Sequence, residues 1–183
     1  MARHAIRLSG SGGQGMITAG IILAAGAAVF EGKKSIQSQS YGPEARGGAS
    51  KAEVIISDEE IYYPKVMAPE VLVALTQEAA DKYSKDLVDG GILILDDLMV
   101  KTAPKGNWDV YMMPIIRTAA EKVGKAMVAN VVTLGALNEI CGFVKPETLE
   151  KAVLSRVPKG TEDLNKSAIT AGIELAKVAK AAK

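Results

Sequence analysis

Two hydrophobic periods divide this chain. His4-Ala5-Ile6-Arg7-Leu8-Ser9 alternates in part and predicts a short strand. Glycines follow at once, and then an apolar run extends from Met16 to Phe30, broken only by Thr18. Within that run Ile17, Gly20, Ile21, Ala24 and Ala28 fall on one helical stripe. Met16, Ala19, Leu23, Ala27 and Phe30 fall on a second. Two apolar stripes predict a helix buried against a sheet on one side and against other structure on the opposite side. Gly32 is a suitable stop. The run is shorter than the roughly 20 residues a membrane-spanning helix needs.

Further on, 34–39 is a candidate second strand, 51–57 a third centred on Val54-Ile55-Ile56, and 71–75 a fully apolar fourth. Thr76 is placed to cap a helix over 77–84. Ile92-Leu93-Ile94-Leu95 and 109–113 complete the strands. Continuous apolar strands separated by helical segments predict a largely parallel sheet covered on both faces. The remainder reads as helical. Asn130 is placed to cap a helix ending at Gly142, Pro146 to start the next, and Asn165 to open the last, with Lys177, Lys180 and Lys183 near its C-terminal end. There is no internal repeat or low-complexity linker, so residues 1–183 are expected to form a single domain.

Composition narrows the possible roles. With 48% hydrophobic residues the chain can build a sizeable core. Its 22 basic and 21 acidic residues leave a net charge of +1, so no global field favours nucleic acid or an anionic membrane. The single cysteine, Cys141, excludes an internal disulfide and an iron–sulfur cluster, which takes about four ligands. No signal-peptide pattern opens the sequence, which makes a cytoplasmic location the expectation. There is no Ser/His/Asp set, no metal-ligand cluster and no nucleophile–base pair, so nothing resembles a complete active site.

Two segments carry candidate chemistry. Gly10-Ser11-Gly12-Gly13-Gln14-Gly15 lies between a strand and a helix and has the spacing G-x-G-x-x-G. Such a turn lets a ligand approach the backbone, and the helix it opens offers free N–H groups to an anion. The same glycines also suit a tight turn that binds nothing. No acidic residue ends the second strand to meet a ribose, and Glu31, at about the right distance, falls at a helix end. The second segment, Ser40-Tyr41-Gly42-Pro43-Glu44-Ala45-Arg46-Gly47-Gly48, must be a loop. It is able to present Tyr41, Glu44 and Arg46 at a cleft or junction, with Arg46 suited to a carboxylate or phosphate; equally, Glu44 and Arg46 could simply pair. Asp96-Asp97 and Trp108 read as a strand end or helix cap and as a core lid or interface aromatic.

Together the two glycine segments, followed by Val54-Ile55-Ile56-Ser57-Asp58-Glu59-Glu60-Ile61, Tyr63-Pro64-Lys65-Val66, Ala74-Leu75-Thr76-Gln77-Glu78-Ala79 and Gly90-Gly91-Ile92-Leu93-Ile94, resemble the gamma subunits of 2-oxoacid:ferredoxin oxidoreductases. The loop form Ser-Tyr-Gly-Pro-Glu-Ala-Arg-Gly-Gly looks most like the 2-oxoglutarate branch. The resemblance implies an α/β, Rossmann-like three-layer domain with a mostly parallel sheet and C-terminal helices. It also implies a subunit inactive alone, within a complex that converts a 2-oxoacid and coenzyme A to acyl-CoA, CO2 and reduced ferredoxin. Thiamine diphosphate and iron–sulfur clusters would sit on alpha, beta and ferredoxin-like delta partners. Coenzyme A would be a ligand of this chain at Gly10, Ser11, Gly12, Gly13, Gln14 and Gly15, with Tyr41, Glu44 and Arg46 at the subunit or substrate junction. Two other roles remain open at this point: a free-standing nucleotide-binding enzyme and a purely structural interaction module.

Overall fold

Six strands join in one sheet of order β2-β3-β1-β4-β5-β6 in the computed structural model, which describes residues 2–41 and 48–183. They are β1 (Arg3–Ser11), β2 (Lys34–Ser40), β3 (Ala49–Ser57), β4 (Val71–Ala74), β5 (Ile92–Asp96) and β6 (Asp109–Met113). β1, β4, β5 and β6 pair in parallel, and β3 pairs antiparallel with both β1 and β2. Only β3 therefore points against the rest. Its reversal follows from chain length: residues 41–48 are too few for a parallel crossover, which takes a dozen or more.

The sheet is covered on both faces, as its apolar strands require. On one face, Ile6 and Leu8 of β1 and Val54 and Ile56 of β3 meet α1 (Met16–Ala25) and the C-terminal helices. Those are α3 (Ile115–Glu121), α4 (Ala129–Cys141), α5 (Pro146–Leu154) and α6 (Glu162–Ala181). On the other face, Leu72, Ala74, Leu93 and Leu95 pack against Ala79, Ala80 and Tyr83 of α2 (Gln77–Tyr83), with Val100 and Trp108 closing the layer. Trp108 is thus a lid on this second, smaller core.

α1 is sandwiched as its two stripes predict. Gly20 faces Ala52, where an added Cβ would come within 2.8 Å of the alanine methyl. The helix widens to a π turn over Gly26–Phe30 and ends before Gly32, which is left-handed at φ 67°. Thr76 caps α2, its side chain accepting from Ala79 N at 3.3 Å. Gly142 ends α4 in the left-handed conformation, and Pro146 takes the first turn of α5. Two expected caps differ. α4 begins one residue before Asn130, after a 3-10 turn at Ala126–Val128. α6 begins at Glu162, and Asn165 sits inside it with its amide turned back to Thr161 O at 2.8 Å. Both asparagines bond near a helix start, but from within the first turn.

The α2 face also holds a buried ionic cluster. Arg7, only 2% exposed, donates to Glu53 Oε1 at 2.9 Å, to Asp86 Oδ2 at 2.7 Å and to the carbonyl of Val66 at 3.2 Å. Lys51 reaches the same Glu53 carboxylate at 2.8 Å. A guanidinium in mid-strand is tolerated because its donors are shared among these acceptors.

Candidate functional site

The first glycine segment lies where the layers diverge. β1 runs into α1 on one face, whereas its parallel neighbour β4 runs into α2 on the other. The C-terminal ends of two such strands leave a crevice between them, the usual ligand position in open α/β sheets. Leu75 N donates to Ser9 O at 3.1 Å, closing the floor of that crevice. On the other flank Ser11 pairs with Ala49 and Ser40 with Lys51, so both ends of the second glycine segment arrive at this same edge of the sheet. Tyr41 is 67% exposed there. Glu44 and Arg46, the other two candidates of that segment, lie outside the described residues.

The turn itself is organised from within. Gln14 folds its side chain back so that Oε1 accepts from Ser11 N at 2.8 Å, and Gln14 N donates to Ser11 O at 3.3 Å. Gly10 is needed to leave room for that side chain. The Gln14 carbonyl oxygen is thereby committed to the turn. Gly13 and Gly15 are left-handed, at φ 92° and 75°. Among the described residues, a Cβ placed on Gly12 or Gly13 would meet nothing within 4 Å, so they leave the outer wall of the turn open. No side chain caps α1, and Gly15 is its N-cap. Its first-turn N–H groups have no side-chain acceptor among the described residues, and the macrodipole adds partial positive charge there.

Asn130, which the sequence offers as a helix cap, reaches this turn, and two cations that the sequence does not single out lie near it. Asn130 donates from Nδ2 to Gly15 O at 3.4 Å. A cavity of about 230 Å³ adjoins it, with Thr18 and Ile22 of α1, Asn130 and Val131 of α4, and Val157 and Leu164 near the α5–α6 connection in its lining. Lys125 and Arg156 also line this cavity, and neither forms an ion pair among the described residues. No sequence signal links them to Gly10–Gly15, because more than a hundred positions separate the two groups.

Other titratable candidates have structural duties. Asp96 is wholly buried and accepts from Leu98 N and Met99 N at 3.0 Å each and from Ile116 N at 2.8 Å. It fastens a loop and starts α3, while Asp97 pairs with Arg117 at 3.1 Å. Glu31 accepts from Lys145 N at 2.6 Å at the start of α5. Burial would raise its pKa, but the Lys145 N–H, Thr148 and Lys33 outweigh burial and hold it below the ordinary range. It therefore tethers a helix and is not a ribose contact. His4 bonds Glu70 at 2.5 Å at the opposite end of the sheet. Cys141 lines a cavity with them, its thiol pushed up to about 12 by burial and by the charge of Glu70. Among the described residues no three His, Cys, Asp or Glu side chains are grouped to hold a metal ion, and no helix is long and apolar enough to cross a membrane.

This geometry sits in a recognisable lineage. The chain matches the pyruvate ferredoxin/flavodoxin oxidoreductase family over residues 5–175. It is 50% identical over 177 residues to the 2-oxoglutarate synthase subunit KorC of Methanocaldococcus jannaschii, covering 96% of this chain and 95% of that one. It superposes on the crystal structure of the keto/oxoacid ferredoxin oxidoreductase gamma subunit of Geobacter sulfurreducens with a TM-score of 0.91 at 50% identity, over 98% and 99% of the two chains. A longer relative, the ketoisovalerate oxidoreductase subunit VorA of Methanothermobacter thermautotrophicus, is 40% identical over 133 residues, which are 72% of this chain and 27% of that one. The family match, the near full-length 50% identity to the KorC subunit and the superposition on the gamma subunit agree: the chain belongs to the pyruvate ferredoxin/flavodoxin oxidoreductase family, as a gamma subunit of a 2-oxoacid:ferredoxin oxidoreductase.

Proposed function

We propose that this gamma subunit serves a 2-oxoglutarate-oxidising complex and holds coenzyme A at the turn between β1 and α1. The reaction cleaves the bond between the carboxyl and keto carbons of the 2-oxoacid. CO2 leaves, the acyl group passes to the coenzyme A sulfur, and the electrons pass to ferredoxin. The carrying observation is that, among the described residues, the start of α1 is uncapped, the space at Gly12 and Gly13 is open, and Lys125 and Arg156 in the neighbouring cavity form no ion pair. Coenzyme A offers matching groups. Its diphosphate suits the free N–H groups of the turn, its ribose phosphate suits Lys125 and Arg156, and its adenine suits the apolar wall of Ile22, Val157 and Leu164. Tyr41 stands at the edge where this ligand would pass to the partner subunit, and the junction role proposed for it extends in sequence to Glu44 and Arg46.

The chain's own residues do not fit an iron–sulfur cluster. It has one cysteine, and that thiol is half-buried with a raised pKa. Clusters, and with them thiamine diphosphate, are assigned to the alpha, beta and delta partners. The similarity to 2-oxoglutarate synthase subunits and the Tyr41–Gly48 sequence favour 2-oxoglutarate as the acid.

Reconstitution with the partner subunits tests this reading. Acyl-CoA formation should depend on adding this chain and should favour 2-oxoglutarate in a substrate panel. Arg156→Gln should weaken coenzyme A about tenfold, and dephospho-coenzyme A much less. Equal loss for both ligands would remove Arg156 from the phosphate site.

A further inference from the structure

We infer that Asn165 reads the base of the ligand: its side-chain oxygen faces the cavity between α1, α4 and the α5–α6 connection and accepts from the exocyclic amine of an adenine. This deepens the coenzyme A reading of that cavity and rests on it.

The neighbours of Asn165 fix which way its amide points. The residue lies near the start of α6 and is only 4% exposed. Its Nδ2 donates to Thr161 O at 2.8 Å and lies 3.1 Å from Thr161 Oγ1. A carbonyl oxygen can only accept, so the amide nitrogen takes that side and Oδ1 takes the other. Among the described residues Oδ1 has no hydrogen-bond partner. Yet Ser35 Oγ is the one fully enclosed polar side-chain atom there that lacks a partner. Oδ1 therefore keeps an accessible face, and the space that Asn165 borders is this cavity. An acceptor set among apolar groups calls for a donor, because leaving it unpaired is costly once water is displaced.

The lining decides which donor fits. Ile22 and Val131 are buried, and Val157 and Leu164 are partly so, which suits a flat apolar group. Lys125 and Arg156 line the same cavity and repel an ammonium or guanidinium, so the donor is a neutral N–H. The volume, about 230 Å³, falls below the roughly 300–1,000 Å³ of pockets that enclose a whole drug-sized ligand. One ring system enters, and the charged remainder stays outside with the two cations. Adenine meets each condition, and its N6 amine is the group that asparagine oxygens accept from in base recognition. A 6-oxopurine would place a carbonyl oxygen there, acceptor against acceptor.

The test compares Michaelis constants of the assembled complex for coenzyme A and for its desamino analogue, in which unsubstituted purine replaces adenine. Wild type should show a constant about tenfold higher for the analogue, with kcat unchanged because the group removed is remote from the thiol. This arm needs no variant and so does not depend on a substituted chain folding. Asn165→Leu keeps the side-chain size and removes the acceptor, so its two constants should be equal. A purely structural role, through the bond to Thr161, would raise both constants alike and preserve the ratio, and that result overturns the inference. A wild-type complex that takes both ligands equally also overturns it; the coenzyme A reading then still stands if Arg156→Gln discriminates coenzyme A from its dephospho form. If neither the purine change nor Arg156→Gln moves the constant, the coenzyme A reading falls and this inference with it.

Discussion

The carbonyl of Gly15 and the side-chain amide of Asn130 meet at 3.4 Å, tying the start of α1 to the start of α4. That contact sets the back wall of the glycine turn. Gly15 has φ 75°, and a Cβ there would come within 2.7 Å of Asn130 Nδ2. Gly15→Ala should therefore cost about 2–3 kcal/mol, of which about 1–2 is left-handed backbone strain. Adding Asn130→Ala should recover the part due to crowding and leave the backbone part. Urea unfolding of the single and double variants measures both. A double variant no more stable than Gly15→Ala alone would contradict the contact.

α4 and α6 cross with their backbones touching. A Cβ on Gly172 would lie within 2.8 Å of Ala136 N and would collide with the carbonyl of Val132. Neither neighbour is a side chain able to turn away. Gly172→Ala should cost about 3 kcal/mol or more, despite the higher helix propensity of alanine. A neutral or stabilising result in thermal unfolding would show that the helices stand further apart.

Cys141 supplies a pH prediction. Its thiol moves from an ordinary value of 9.0 to about 12 in the fold, chiefly through burial and then through the charge of Glu70. The folded state keeps a proton that the unfolded state loses above pH 9, so stability must fall as pH rises from about 9 towards 12. Below pH 9 the contribution is fully present. Tyr83 and Tyr111, both raised mainly by burial, act in the same direction. Cys141→Ala should flatten the alkaline slope, and native Cys141 should resist alkylation at pH 8 while the unfolded chain reacts readily. Rapid native alkylation would contradict the burial.

Much of this was legible in the residues. The strand positions follow from apolar runs such as Val71–Ala74, and the α1 sandwich from its two stripes. The reversal of β3 was less so, since periodicity gives an element's type but not its direction; the short 41–48 connection carries that information. Caps at Thr76, Gly142 and Pro146 are local chemistry and were readable. Asn130 has the residue type of a cap, yet its amide serves another helix, because capping residues bond whichever backbone group the fold brings near. Lys125 and Arg156 were invisible, since only the packing of the C-terminal helices on α1 brings the segments that carry them to one cavity. Arg7, Glu53 and Asp86 are equally scattered in sequence, and their ionic cluster exists only once the sheet has formed.

The most direct measurement is the Michaelis constant for coenzyme A of the assembled complex carrying Gly12→Val. Gly12 has an ordinary φ and open space around its missing Cβ, so the valine should fold without strain and protrude where the diphosphate is proposed to lie. The account predicts at least about a tenfold rise for coenzyme A, with the constant for the 2-oxoacid and the melting temperature unchanged. An unchanged coenzyme A constant in an intact complex would contradict it.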